Sequence, residues 1–518
     1  MRSTSNTITK LLSLIILLVM LPLAALGTTM DHTLTLGMIS VKTQYLNPLI
    51  AEEREFQSLT ALMYEGLMSL DDDYKPVYCL ANDHDLSDNG KKITFNMRTD
   101  VTFHNGAPCT AYDVEATVKE ILRLANENQG QYSQLKYIIS AVNVNDAKTI
   151  QFTLTRPYYG SLYAFTFPIL PRDQIAAQHP SGTGPFKLHS FVPKNYLYLS
   201  ANENWWNGEP AVENINVVFS DTNKALITDY EFNLLDAAIT RSASAGQYRT
   251  GLTNLNITYR TRQLEVLLMN DHPNSFPLND IKVRKAIRYA IDLDSIINSV
   301  YMGMAQRTDT PLPSGMWLYN DQIAHEYNPE KAKALLAEAG WVESLDDDNI
   351  LDKIVDGEMK RLRLALHVYE EQANSVRVQV ANMIASQLNA IGIEAHVEIG
   401  TFTNIAERLK KRNFDMCIAA FQMDVIPDPG FMLMAGNTGN YCGYSSKAMD
   451  GLFKSFRSEW DEFQFQQLLS QIQQQFYEDC PFICMHYRSG ALLTRKVFTT
   501  VRDVREPEIL RGIESIGK

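Results

Sequence analysis

The chain has 518 residues, of which 45% are hydrophobic, 21% charged and 10% aromatic, the fractions of a folded globular protein. Its 47 Lys and Arg against 60 Asp and Glu give a net charge of −13, without the clustered basic face that nucleic-acid binding requires. Six cysteines are too few for a disulfide scaffold. Collagen, coiled coil and multispan membrane protein are excluded on composition as well.

The N-terminus carries an export address. Arg2 and Lys10 precede an apolar run from Leu11 to Leu26, broken only by Ser13 and Pro22. That run is shorter than the roughly 20 residues that span a bilayer. Ala25 and Gly27 stand just before Thr28, the small-residue signature of a cleavage site. Residues 1–27 are therefore expected to be a signal peptide, with a single N-terminal anchor as the alternative. The first cysteine is Cys79, so no lipid attachment is expected near the cut. Cleavage would remove two basic residues and no acids, leaving a net charge of −15. The expected product is an exported, acidic, soluble protein.

Along the chain, Thr33 to Met38 alternates as a strand, and Leu46-Asn47-Pro48 ends it. Gln57 to Leu70 reads as a helix that stops at Asp71-Asp72-Asp73. That acidic turn reads as solvated, with attraction of a cation as the lesser alternative. Lys92 to Met97 and Thr149 to Leu154 alternate β-branched or aromatic residues with polar ones, as strands do. Between them Thr110 opens a helix bearing Val114, Val118, Ile121 and Leu122 at the helical period. Ile215 to Ser220 is a further strand and Glu265 to Asn270 a buried one. Val283 to Val300 reads as one helix, and Pro329 to Ala339 as another that ends at Gly340. Leu362 to Tyr369, Ser375 to Ile391, Glu394 to Glu398 and Ile405 to Arg412 alternate strand and helix. That βαβ order predicts an α/β lobe with a parallel or mixed sheet, and the whole chain reads as two lobes.

No nucleophile elbow, phosphate loop, dinucleotide fingerprint or His-Glu-x-x-His is present. Cys480 and Cys484 with His486 hint at metal but read better as a buried strand, and no metal site or cofactor is expected. Trp205-Trp206 reads as a packed turn, with a stacking platform as the alternative. The lack of catalytic motifs in a large exported chain favours a binding protein whose lobes close on a ligand.

Several segments carry a more specific signal. They are Tyr64-Glu65-Gly66-Leu67, Ile93 to Arg98, Val101 to Pro108, Thr110 to Val114, Gly182 to Phe186, Asn202 to Trp206, Val283 to Asp292 and Tyr327 to Trp341. In this order they resemble the family 5 extracellular solute-binding proteins, the oligopeptide, dipeptide and nickel-chelate receptors of ABC importers. Gly182 and Gly184 read as a turn needing unusual backbone angles, and Asp292 and Asp294 as solvated or capping. The resemblance implies a two-lobed, hinged periplasmic-binding-protein type II α/β fold with an extra inserted subdomain. It implies one discontinuous lobe from residues 31–50, 165–262 and 488–518, an inserted subdomain at 51–164 and a second lobe at 263–487.

The resemblance also implies a ligand and a site. In peptide receptors of the family an aspartate shortly before an Asp-Pro or Glu-Pro pair holds the peptide α-amino group. Here that aspartate is Asp424, before Asp428-Pro429, although the spacing is one residue longer and the preceding aromatic is missing. A solvated loop carboxylate is the alternative for Asp424, and a loop brace for Asp428. Tyr441 and Tyr444 are candidates for a side-chain pocket, Tyr45 for an approach to the ligand and Arg412 for its carboxylate. Packing roles remain open for each. The expected protein is a monomeric, periplasmic, non-catalytic receptor that captures short peptides and delivers them to a membrane permease. A nickel-chelate or metallophore receptor, and a sugar-oligomer receptor, are the competing ligand classes within the family.

Overall fold

The computed structural model describes residues 33–51, 53–87, 90–248, 251, 254–343, 348–370, 376–495 and 504–515. The expected signal peptide, residues 1–27, lies outside them. All statements of absence below refer to the described residues.

The chain opens with strand β1 (Thr33–Ile39) and helix α1 (Arg54–Met63), shorter than expected because Met68–Leu70 is a strand. Strands β2 (Ala81–Leu86) and β3 (Lys92–Met97) follow, then helix α2 (Ala111–Asn126) and strands β4 (Ile139–Asp146) and β5 (Thr149–Leu154). These four strands make a separate antiparallel sheet in the order β2-β3-β5-β4, with α2 packed against it. The α2 start is set by Asp113, whose carboxylate accepts from the Thr110 N–H at 2.9 Å and hydroxyl at 2.6 Å, a capping arrangement worth roughly 1 kcal/mol.

The large sheet takes the next strands, β6 (Phe186–Val192), β7 (Tyr196–Ala201), β8 (Asn214–Ser220), β9 (Ala237–Thr240) and β10 (Leu255–Met269). The expected single helix at 283–300 is two, α3 (Ile281–Ala290) and α4 (Leu293–Val300). Asp292 makes the break, because its carboxylate caps α4 by accepting from the Ser295 N–H at 2.9 Å. Then come β11 (Arg363–Tyr369), α5 (Val376–Asn389), β12 (Glu394–Gly400), α6 (Phe402–Lys411) and β13 (Met416–Gln422). Helix α7 (Glu462–Asp479) and strand β14 (Phe482–Thr494) complete the order. Pairing of β11 with β12 and β13 is parallel, as the βαβ alternation predicts.

These strands form one eleven-stranded sheet in the order β12-β11-β13-β10-β14-β9-β1-β8-β7-β6, with Ala305–Arg307 paired to β14. Two long strands, β10 and β14, run through both halves. Leu255 to Arg260 pairs with Thr494 to Ser489, beside β9; Leu264 to Leu268 pairs with Tyr487 to Phe482, beside β13. Between them the ladder is interrupted at Thr261, Arg262 and Gln263. Thr261 bridges the gap, its hydroxyl donating to the Arg488 carbonyl at 2.8 Å.

Just beyond the interruption, Glu265 is 0% exposed. It accepts from Arg377 Nε at 3.1 Å and Nη2 at 2.7 Å and forms an ion pair with Arg488 Nε at 2.6 Å. Burial opposes its ionisation, but the two guanidiniums prevail and hold its pKa below the usual value. Removing the charge while leaving both arginines in place strands them in a dry site. Glu265→Gln is expected to lower stability by about 3–5 kcal/mol, read as a fall in urea midpoint; an unchanged midpoint would contradict this account.

Gly182 and Gly184 have ordinary negative-side backbone angles, against the sequence expectation. Their reason is close approach. A Cβ on Gly182 would lie 1.8 Å from the Met63 carbonyl oxygen, and one on Gly184 2.7 Å from that of Leu62. Because the obstacle is backbone at the end of α1, Gly182→Ala is expected to cost at least about 1–3 kcal/mol, measured by equilibrium unfolding.

Candidate functional site: the cavity between the lobes

A cavity of about 640 Å³ opens beside the β10 interruption. Arg260, Thr261 and Arg262 from β10 form one wall, and the segment Gln422 to Pro427 after β13 forms another. Tyr74, Gln131, Tyr132 and Tyr163 close it from the inserted region, and Arg505 and Glu506 from the C-terminal segment. Its size is that of a pocket able to enclose most of a small organic ligand.

Asp424 follows the end of β13 at Gln422, which pairs with Gln263 of β10. The Met423 N–H still donates to the Arg262 carbonyl at 2.9 Å, and the chain then turns. Asp424 Oδ1 accepts from the N–H groups of Val425 at 2.6 Å and Ile426 at 3.4 Å. Asp424 is solvent-accessible and lines the cavity; the surrounding wall atoms push its pKa up despite Arg262 and the two N–H donors. Other carboxylates of the wall are held by side chains. Glu506 pairs with Arg241 at 2.5 Å, Glu508 with Arg511 at 2.7 Å. Asp424 has no side-chain partner, and neither does Glu514.

Glu65 lies deeper. It accepts from the indole N–H groups of Trp205 and Trp206, each at 3.1 Å, and from the Thr183 hydroxyl at 2.8 Å. The tryptophan pair is thus neither a free platform nor a simple turn: it braces a buried carboxyl, and Arg98 lies over the Trp206 ring at 4.1 Å. Burial outweighs these donors and pushes Glu65 up to about 7. On the opposite wall the Tyr74 ring is stacked between Arg505, 3.8 Å away, and Arg260, 4.7 Å away. The acidic turn before it is not merely solvated. Arg505 donates to the carbonyls of Asp71 and Asp72, and Arg511 pairs with the Asp72 carboxylate at 3.0 Å.

The other residues singled out in the sequence lie off the cavity wall. Tyr45 is 41% exposed beside its own turn. Arg412 is the left-handed cap of α6 and donates to the Asn440 carbonyl at 3.5 Å. Tyr441 stacks on Phe421 with centroids 6.2 Å apart, and the Tyr444 hydroxyl donates to Asp479. Asp428 accepts from Arg457 at 2.6 and 2.9 Å and from the Gly430 N–H at 2.9 Å, the brace geometry. His486 is buried against the Tyr301 ring at 4.4 Å, and burial lowers its pKa to about 4. No group of three His, Cys, Asp or Glu side chains in the described residues is arranged to hold a metal ion. Arg262, Glu65 and Tyr74 escaped notice as site residues. Arg262 had one visible signal, a polar triplet Thr261-Arg262-Gln263 in front of an apolar strand.

Two lobes on shared strands, with a roofed cavity at the crossing, define a solute-binding protein of the hinged kind. The model of the bacterial extracellular solute-binding proteins, family 5 Middle, matches residues 75–442, and the chain belongs to that family. It is 26% identical over 481 residues to the oligopeptide-binding protein AppA of Bacillus subtilis, covering 88% of this chain and 86% of that one. It is 28% identical over 375 residues to the nickel-binding periplasmic protein of Escherichia coli, covering 69% of each. A nickel ABC transporter structure from Bacillus halodurans superposes with a TM-score of 0.78 at 21% identity, over 92% of this chain and 98% of that one. The type II periplasmic-binding-protein fold is thereby established.

Glu65 yields a pH prediction. Its folded pKa lies above its ordinary value of 4.5, so the folded state holds the extra proton. The stability it contributes is present at low pH and lost as pH rises from about 4.5 to about 7. Relative to Glu65→Gln, the wild type is expected to lose on the order of 1–3 kcal/mol between pH 5 and pH 8, measured by urea unfolding at both. Parallel pH profiles for the two proteins would contradict the assignment.

Proposed function

We propose that the protein is the extracytoplasmic receptor of an ABC importer, capturing short peptides in the cavity and delivering them to a membrane permease. Residues 31–50, 165–262 and 488–518 form one lobe, 263–487 the other, and 51–164 the inserted subdomain. The lobes close about the β10 and β14 crossing. The receptor acts as a periplasmic monomer, exported by residues 1–27 without a lipid anchor, and performs no catalysis.

The observation that supports a peptide ligand is Asp424. It is a carboxylate on the cavity wall, with its pKa raised by its surroundings, accepting from two backbone N–H groups and no side chain. A peptide α-ammonium would supply a direct ion pair, which Asp424 lacks among the described residues. The oligopeptide-binding name of the Bacillus subtilis relative points the same way. Closure follows if the ligand touches both walls, since a ligand shifts a two-state equilibrium only through its extra affinity for one state.

Calorimetric titration of refolded protein with free-amine tetrapeptides tests this. Asp424→Ala is expected to weaken binding about tenfold to a hundredfold, the worth of a charge-assisted hydrogen bond. N-acetylation of the peptide should weaken wild type equally and cost the variant nothing further. Binding of nickel–histidine alone, with no free-amine peptide bound, would overturn the reading.

A further inference from the structure

The ground around Arg262 carries a charge count that peptide capture alone does not use. Three arginines, Arg54, Arg241 and Arg262, lie close enough to perturb one another, among the carboxylates Glu55 and Glu506. Arg241 takes both acids, at 2.8 Å and 2.5 Å. Arg54 is left with the amides of Gln263 at 3.3 Å and Gln422 at 2.8 Å. Arg262 donates from Nη2 to Gln57 at 3.0 Å, and its buried Nε has no partner. Neither Arg54 nor Arg262 has a carboxylate within ion-pair distance in the described residues. Asp424, on the neighbouring strand end, is what balances this excess positive charge.

Placing an ammonium on Asp424 removes that balance. The ligand that does so leaves uncompensated guanidinium charge in a desolvated wall, unless it also brings an anion. The two groups are neighbours: the Met423 N–H donates to the Arg262 carbonyl at 2.9 Å, one residue before Asp424, and the Arg262 charge reaches the Asp424 carboxylate. A cavity of 640 Å³ takes a ligand several residues long, so the anion next to the α-ammonium is a side chain and not the C-terminus.

Resting on the peptide reading above, we propose that Arg262 is a specificity-determining residue that receives the side-chain carboxylate of the ligand's first residue. The receptor accordingly prefers peptides that begin with glutamate or aspartate. The bulge explains why the chain can place it there. Residues 261–263 lack pairing to β14 while Gln263 stays paired to Gln422 of β13, and a bulge re-aims side chains that regular pleating would commit to the sheet faces.

The test compares Glu-Ala-Ala-Ala with its near-isostere Gln-Ala-Ala-Ala by calorimetric titration. Wild type is expected to bind the glutamate peptide about tenfold to a hundredfold tighter. Arg262→Gln should abolish that difference by weakening the glutamate peptide far more than the glutamine peptide, and Arg262→Lys should retain part of it. Equal wild-type affinities would overturn the preference and leave peptide capture standing. Equal weakening of both peptides by Arg262→Gln would make Arg262 structural and overturn the proposal as well. Failure of every free-amine peptide to bind, with nickel–histidine binding, would overturn both readings together.

Discussion

Two strands carry the architecture. β10 and β14 each belong to both halves of the sheet, and their ladder is interrupted at residues 261–263 and shifts register again between Glu265 and Val266. A ladder holds two strands rigidly; a break with two surplus residues on one side leaves backbone that can rotate at little cost. The Glu265 cluster stands immediately beyond the break and ties β10 to β14 and to the first turn of α5. One half is therefore clamped hard against the crossing, where the Thr261 hydroxyl donates to the Arg488 carbonyl and the Arg262 N–H to Glu506 in place of ladder bonds. A short irregular segment between two regular ladders is the kind of place where hinges form.

The same break creates the chemistry. Residues freed from pairing turn their side chains into the cavity, and the opposite wall begins where β13 gives out at Gln422. The deep walls are made stiff by charge held in place. Glu65 is gripped by two indoles, Tyr74 is stacked between two guanidiniums, and Glu506 is tied to Arg241. Stiff, satisfied groups cost no reorganisation when a ligand enters. Asp424 differs from Glu65 and Glu506 in accepting from backbone N–H groups and no side chain, which leaves it free to take a ligand's cation.

Much of the fold was legible. Strands such as Lys92–Met97 and Thr149–Leu154 alternate cleanly because one face of their sheet is buried, and Gly340 stops its helix with φ at +85° as expected. Failures arose where a tertiary contact decides the matter. Gly182 has no unusual angle; it is required by the Met63 carbonyl, far away in sequence. The helix at 283–300 breaks because Asp292 caps a second one, which periodicity alone does not reveal. At the site, Asp424 could be named from its family motif. Tyr441 and Tyr444 were chosen for following it along the chain, but the Asp428–Arg457 brace and the Tyr444–Asp479 contact draw that segment into packing; Arg412, chosen as a partner for a ligand carboxylate, caps its own helix instead. Arg262 faces the cavity through a bulge, and a bulge has no reliable signature in one sequence.

The central claim is that a peptide sits at the crossing with its amino end on Asp424. A crystal structure of the protein with a bound free-amine tetrapeptide tests it most directly. The account predicts the terminal nitrogen at about 2.7–2.9 Å from the Asp424 carboxylate, inside the closed cavity. A peptide bound with that nitrogen elsewhere, or a cavity that takes only a metal chelate, would contradict it.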